Sequence, residues 1–303
     1  MTGGRALLTG GTGFLGSRVV RDLLADDWSV TLLCRQTSDL GALARLGIAD
    51  RVAVARFGGG DLLTELGTAL DVARPDLIVH LAAESRGRET PALVADMLHA
   101  NVTVPSLLVA AAHERGVRKT LNAGTSWQTA SETAFAPFNV YAATKQAFED
   151  VLVAYVADGS CAITLRLFDT YGQDDTRRKV VDLLAEAARG ETILKMSPGL
   201  QVIDLVNIDD AAQAFAVAAR RLMDGSVSGH EVFGIGDTRL TLRELARMVG
   251  EAMGRTVPIE WGGRAYRPRE VMIPSSHLPR LPGWTPRIGL RDGLRLAVGI
   301  AVA

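Results

Sequence analysis

The 303-residue sequence has only two cysteines, a formal net charge of -1, and no internal repeat, low-complexity segment or flexible linker. Two cysteines exclude a disulfide framework. Cys34 and Cys161 sit singly in apolar strand-like runs without metal-ligand spacing, so both are expected as small buried hydrophobes in a reducing cytoplasm. Balanced charge without a basic stripe argues against a nucleic-acid or acidic-membrane surface. The late apolar stretch from Leu296 to Ala303 is far too short to span a bilayer. Residues 1–5 run directly into a first strand and leave no room for a charged-then-apolar leader, so a cytoplasmic protein without membrane attachment is expected. The remaining composition, 48% apolar, suffices for one large or two modest cores.

The informative stretch is Leu7-Leu8-Thr9-Gly10-Gly11-Thr12-Gly13-Phe14-Leu15-Gly16. An apolar run ends in glycines and opens onto an amphipathic helix, expected from about Ser17, with Val19, Val20, Leu23 and Leu24 on one face. A strand, a tight glycine turn and a helix N-terminus form the arrangement that holds a dinucleotide pyrophosphate. The backbone must turn sharply and approach phosphate without a Cβ, and the helix start offers free N–H groups. Gly10, Thr12, Gly13, Phe14, Leu15 and Gly16 are therefore candidate cofactor residues.

Ser29–Cys34 reads as the second strand. An acid at its tip would hold ribose hydroxyls, whereas a base accommodates a 2′-phosphate. Here the tip is Arg35, with Ser38 close behind, which points to NADP(H) with NAD(H) as the alternative; an ordinary solvated arginine is the plainer reading. Arg51–Arg56 is a third strand, and Asp61 either meets an adenine amino group or caps the helix from Leu62 to Ala73, or does both. The fourth strand, 76–83, ends in small residues, Ala82 and Ala83, that let a ligand pass; His80 within it reads as a packed strand histidine. A helix spanning Thr90 to Arg115 contains Asn101, mildly unfavourable there. The fifth strand, Arg118–Gly124, leads to Thr125, Ser126 and Trp127 at the same carboxyl edge.

Tyr141 and Lys145 are four residues apart and share a helix face. An ammonium beside a phenol is expected to lower the tyrosine pKa from about 10 toward working pH and make it a usable acid or base. A hydroxyl from Thr125 or Ser126 would hold the carbonyl oxygen that Tyr141 protonates.

These motifs resemble the extended short-chain dehydrogenases/reductases of the nucleotide-sugar epimerase, dehydratase and reductase group. The resemblance rests on the glycine motif, Tyr141-Ala142-Ala143-Thr144-Lys145, Asp61-Leu62, His80-Leu81-Ala82-Ala83, Asn101 and Leu167–Gly172, and it covers essentially the whole chain. It implies a cofactor site that includes Leu62, Leu81, Ala82, Ala83, Asn101, Tyr141 and Lys145. It further implies that Lys145 binds the nicotinamide ribose, that Thr125 is the carbonyl-binding hydroxyl and that Asn101 supports the site. Within the group the closest likeness is to CDP-abequose and CDP-paratose synthase-like 4-ketoreductases. Dehydratases of the group carry an acid pair after the threonine; here Ser126 and Trp127 stand there. Asp169 replaces a frequent asparagine, and its partner is left open between a substrate hydroxyl and a nearby arginine.

Beyond Gly172, the charged loop 173–179 contains Arg177 and Lys179, which could meet substrate phosphates or remain solvated. A helix follows from Val180 to Arg189, and 195–199 reads as a turn. Asp209 and Asp210 read as caps of the helix 211–222. The segment 266–271 resembles the group's arginine segment, which favours Arg267 over Arg269 for the diphosphate. Leu281–Pro286 reads as a rigid packing turn.

The expected fold is α/β: a Rossmann-type doubly wound parallel sheet with a smaller, interleaved C-terminal substrate-binding domain. Residues 1–171 form the dinucleotide domain, to which 201–236 return, and 172–200 with 237–303 form the substrate domain. The expected activity is NADPH-dependent reduction of the C4 ketone of a CDP- or dTDP-linked 4-keto-6-deoxy or dideoxy sugar. The alternatives are an NAD-dependent 4-epimerase and a non-catalytic NADP-binding regulator. No metal and no nucleic acid is expected, and a homodimer through the 90–115 and 141–156 helices is implied by resemblance alone.

Overall fold

A computed structural model describes residues 3–85, 89–129, 136–190, 193–275 and 277–301. In chain order its elements are β1 (Arg5–Thr9), α1 (Phe14–Ala25), β2 (Ser29–Arg35), α2 (Gly41–Arg45), β3 (Ala53–Phe57), α3 (Leu62–Ala73), β4 (Leu77–His80), α4 (Pro91–Leu98), α5 (Val104–Glu114), β5 (Lys119–Thr125) and α6 (Val140–Ala157). They continue as β6 (Cys161–Leu167), β7 (Asp169–Tyr171), α7 (Val180–Gly190), β8 (Leu194–Met196), β9 (Val202–Asn207), α8 (Ile208–Met223), β10 (His230–Ile235), β11 (Thr238–Thr241), α9 (Leu242–Met253), β12 (Ile259–Trp261) and α10 (Leu290–Ala297).

Seven parallel strands run in the order β3-β2-β1-β4-β5-β6-β10. Residues along these strands alternate between two covered faces, which is why they read as continuous apolar runs. Ala6, Leu8, Leu77, Val79, Leu121 and Ile163 pack beneath α1 and α8. Leu7, Leu33 and Ile78 pack beneath α3 and α5, and Phe148 and Leu152 of α6 cover Ala162. Strand order reverses between β1 and β4, the place where open α/β sheets leave a crevice at their carboxyl ends.

A second core joins α7, α9 and α10 to a three-stranded sheet, β11-β9-β7. The segment 201–236 contributes to both cores: β9 lies in the small sheet, while α8 packs on the large one and β10 is its edge strand.

Several local expectations change. The first helix begins at Phe14, not Ser17, with Gly13 as its N-cap. The 90–115 helix is broken by a π turn at His99–Thr103. The run Pro91–Glu114 is apolar and long enough by composition to cross a membrane, with 33% of its most apolar window buried; Leu108 and Ala112 on its inner side join α3 in the core. Residues 194–196 form β8 and pair with β12 where a turn was expected.

The caps of α8 also differ, because Asn207 stands at the N-cap and its side chain accepts from the Asp209 N–H. Asp209 instead pairs with Arg21 at 2.9 Å. The Asp210 carboxylate accepts from the backbone N–H groups of Arg287 and Ile288, both at 2.9 Å, and its carbonyl accepts from Trp284 Nε1. Asp210 thus staples the 281–288 turn onto α8. Cys34 is buried as expected, and Cys161, at the first position of β6, is half-buried; both are free thiols.

Candidate active site

Thr9 ends β1, and Gly10 adopts a φ of 76°, open to glycine at little cost. A Cβ on Gly10 would lie 2.5 Å from the Ala82 nitrogen, and one on Gly16 would collide with the Gly10 carbonyl. The turn is therefore closed against the end of β4 on one side and against its own helix on the other. Gly13 by contrast is exposed, and a Cβ there would meet only the Gly10 carbonyl at 3.4 Å. The start of α1 has no side-chain cap and no acid in its first turn. Its free N–H groups and helix dipole are left for an anion. Thr12 and Leu15 are half-buried in this turn, as are Leu81 and Ala82 opposite, while Ala83 is exposed.

At the neighbouring strand tips Arg35 is exposed and Ser38 half-buried. Sequence reasoning missed Arg56, whose Nη1 donates to the carbonyls of Arg35, Gln36 and Ser38 at 3.0, 2.9 and 3.2 Å. Arg56 is the register partner of Cys34 on β2, a pairing that no local motif announces. Asp61 caps α3, accepting from Thr64 N at 2.9 Å, and Leu62 packs against the core behind it.

α6 carries the candidate acid–base pair. Asn139 caps the helix by accepting from Ala142 N at 2.9 Å, which starts it one residue before Tyr141. Burial pushes the Tyr141 phenol up to about 12, and the charge that draws it down is that of Arg177. This is the opposite of the expected shift: loss of solvent outweighs the Arg177 charge, and the phenol keeps its proton. Lys145 is 1% exposed, and burial pushes it down to about 8 against the pull of Glu149. Its Nζ has no hydrogen-bond partner among the described residues.

Asn101 is fully buried in the π turn, a local widening that recurs at functional sites. Its side chain accepts from Glu84 N at 2.7 Å and donates to Thr144 Oγ1 at 3.0 Å, tying the segment after β4 to α6. Thr125 is buried at the end of β5, and its Oγ1 accepts from Trp127 N at 3.3 Å, which leaves the hydroxyl proton to donate. Gln128 Oε1 holds the Thr125 N–H at 2.8 Å. Ser126 and Trp127 are half-buried, with the Trp127 ring 5.1 Å from Phe138 and 5.8 Å from Lys179 Nζ.

The charged loop reaches back to the glycine turn. Arg18 and Arg177 hold the Phe14 ring between them, at 4.6 and 4.5 Å, and Arg18 donates to the Gln173 carbonyl at 2.5 Å. Arg177 is not the free cation expected, because Asp175 pairs with it at 2.6 Å and Thr170 accepts from it. Asp169 forms no ion pair among the described residues. Burial raises its pKa, against the charges of Lys179, Arg177 and Arg267. Arg267 is exposed, and Arg269 donates to the Pro137 carbonyl at 2.9 Å.

The structure thus gathers two groups of the expected residues. One is the glycine turn with the ends of β4 and β5, Asn101 and the Tyr141–Lys145 pair. The other is Asp169, Arg177, Lys179, Trp127 and Arg267, with Arg177 linking the two. The open Gly13 edge and the unpartnered, buried Lys145 ammonium suit a nicotinamide dinucleotide, whose pyrophosphate would meet the first and whose ribose the second. No group of three or more His, Cys, Asp or Glu residues suited to a metal occurs among the described residues.

Comparison with known proteins agrees. The chain is 26% identical to a CDP-abequose synthase of Yersinia pseudotuberculosis over 89% of this chain and 91% of that protein. It is 28% identical to a UDP-glucose 4-epimerase of Mycolicibacterium smegmatis over 97% of each. DesIV, a dTDP-glucose 4,6-dehydratase of Streptomyces venezuelae solved with NAD bound, superposes with a TM-score of 0.80 at 26% identity, covering 97% of this chain and 95% of that one. Residues 6–236 match the family described as NAD dependent epimerase/dehydratase, and the chain is an enzyme of that family.

Proposed function

We propose that the chain reduces the C4 ketone of a nucleotide-activated 4-keto-6-deoxy or dideoxy sugar, CDP- or dTDP-linked, with NADPH as reductant. The observation that supports this reading is the placement of Tyr141 and the buried, unpartnered Lys145 on α6 and of Thr125, its hydroxyl proton left to donate, at the end of β5, followed by Ser126 and Trp127 rather than a carboxylate pair. Tyr141 gives its proton to the carbonyl oxygen as the alkoxide forms. Thr125 donates a hydrogen bond to the same oxygen, and the Lys145 ammonium stabilises the phenolate left behind. The dihydronicotinamide, when bound, supplies the hydride. Ser126 and Trp127 stand where the group's dehydratases carry the acid pair that removes a C5 proton and protonates a leaving hydroxyl, which favours reduction over elimination. Lys179 and Arg267 are assigned to the diphosphate, and Asp169 to a hydroxyl of the sugar.

The experiment is NADPH oxidation by purified protein with CDP- and dTDP-linked 4-keto-6-deoxyhexoses. Loss of NADPH signal dependent on one of them is expected. Co-purifying NAD together with interconversion of C4 epimers, and no net NADPH loss, would replace this reading with a 4-epimerase.

The preference for NADPH rests on Arg35, with Arg56 and Ser38 beside it. Arg35→Glu removes a charge-assisted contact to a 2′-phosphate and adds repulsion. NADPH affinity is expected to fall by about 10- to 100-fold, while NADH affinity changes by less than about threefold. Fluorescence titration checks this, and an equal loss for both cofactors would show that Arg35 does not read the phosphate.

A further inference from the structure

Beneath Lys145 the large sheet carries a row of polar side chains at one level. Thr9 on β1, His80 on β4, Asn122 on β5 and Thr164 on β6 are register partners in turn, and all four are buried. The row is bonded at both ends. Thr9 Oγ1 meets His80 Nδ1 at 2.8 Å, Asn122 Nδ2 donates to Thr164 Oγ1 at 3.2 Å, and that hydroxyl meets His230 Nε2 at 2.8 Å. In its middle, His80 Nε2 and Asn122 Oδ1 are buried and find no hydrogen-bond partner among the described residues, and the same is true of Lys145 Nζ. His80 and Asn122 are cross-strand neighbours and the Lys145 charge acts on His80; interiors rarely leave polar atoms unpaired, so these three call for a shared partner.

α6 lies over this row. Phe148, three residues beyond Lys145, meets the His80 ring edge-on at 5.1 Å. Burial holds the His80 imidazole well below its usual range, and the Lys145 charge adds to that effect. His80 is thus neutral. In the tautomer that donates Nδ1–H to Thr9 Oγ1, the Nε2 of His80 is a bare acceptor, as is the amide oxygen of Asn122, whereas an ammonium has three protons to donate; we assign this tautomer to His80.

We propose that His80 and Asn122 are positioning residues for Lys145, their Nε2 and Oδ1 together holding one buried water that receives the ammonium and keeps it aligned with Tyr141. Three polar partners suit a buried water, and two ammonium protons stay free, at least one of them for the cofactor ribose. The inference rests on the reading of Tyr141 and Lys145 as the acid–base pair. Among the described residues, the ionisable groups on the elements packed around Lys145 include Tyr141 and Glu149 on its own helix, Arg166 on β6 and His230 on β10, the last two linked to Glu149. Arg166 is paired with Glu149, and burial holds His230 toward its neutral form.

The test reads the Lys145 titration directly. The sequence has four lysines, so the 13Cε resonances of lysine-labelled protein are few, and a Lys145→Met variant assigns the one in question. In the cofactor-free enzyme Lys145 is expected to titrate near 8. His80→Phe and Asn122→Leu each remove an acceptor, and each is expected to lower the midpoint by about one unit, a tenfold loss of ammonium at a given pH. His80→Gln, which returns a polar atom to the Nε2 position, is expected to restore most of it. The basic limb of kcat/KM is expected to move down with the midpoint, with melting temperature as the folding control. Unmoved midpoints in folded His80→Phe or Asn122→Leu would overturn the proposal; if His80→Phe does not fold, Asn122→Leu decides. The titration needs no substrate, so absence of ketone reduction would overturn the functional reading and leave this result standing.

Discussion

Tyr141→Phe is expected to lower kcat by about 10²- to 10⁴-fold, the span associated with a lost general acid, while cofactor affinity stays within about a factor of two. The substitution removes one oxygen and keeps the ring, so packing around Tyr141 on α6 changes little. What disappears is the proton itself. Burial keeps the phenol protonated up to about 12, so the donor is loaded throughout the working range and its pKa sets no limb near neutrality. The limb near 8 belongs to Lys145: below it the ammonium is present to stabilise the phenolate, and above it that stabilisation is lost. The parent is therefore expected to lose activity as pH rises through about 8, whereas Tyr141→Phe, with no phenolate to stabilise, should show a flattened profile. Steady-state rates across pH, with cofactor titrations alongside, check both parts. A variant as fast as its parent would remove Tyr141 from the chemistry.

The parts of this site visible in the sequence are those encoded by contiguous residues. The strand, glycine turn and helix at 7–24 appear as a change of hydrophobic period around glycines. Tyr141 and Lys145 appear because four residues bring two side chains to one helix face. The hidden parts depend on what packs around them. The sign of the Tyr141 shift depends on how little water reaches the phenol, which the spacing of Tyr141 and Lys145 does not carry. Asn101 looks like a poor helix residue until the π turn directs it at Glu84 and Thr144. Arg56 reads as one more charge at a strand end, and only the β2–β3 register brings it to the carbonyls of the Arg35–Ser38 turn. At α8 the acids Asp209 and Asp210 satisfied the composition rule for caps, yet Asn207 occupied the cap and freed both for ties to distant segments.

The same reasoning gives Glu149 a large effect on stability. Its side chain is 2% exposed, and Arg166 Nη2 meets it at 2.6 Å, with Gln128 Nε2 donating to its other oxygen at 2.7 Å. Gln146 accepts from the same guanidinium at 2.9 Å. Glu149→Ala leaves the Arg166 charge buried without a counter-ion, a change that costs about 3–5 kcal/mol. At about 2–4 °C per kcal/mol for large domains, the melting temperature is expected to fall by roughly 6 to 20 °C. Replacing both partners with apolar residues, Glu149→Leu with Arg166→Met, removes the uncompensated charge and is expected to recover most of that loss. Recovery of stability need not recover catalysis. Gln128 holds the Thr125 N–H through one end and Glu149 through the other, so the double variant melts near the parent while the Thr125 hydroxyl is less firmly placed. It also lacks the carboxylate that raises the Lys145 pKa, so its activity is expected to decline from a lower pH than the parent's. A Glu149→Ala protein that melts within about 2 °C of the parent would show that water compensates the guanidinium, and the network would then contribute placement of Thr125 without stability.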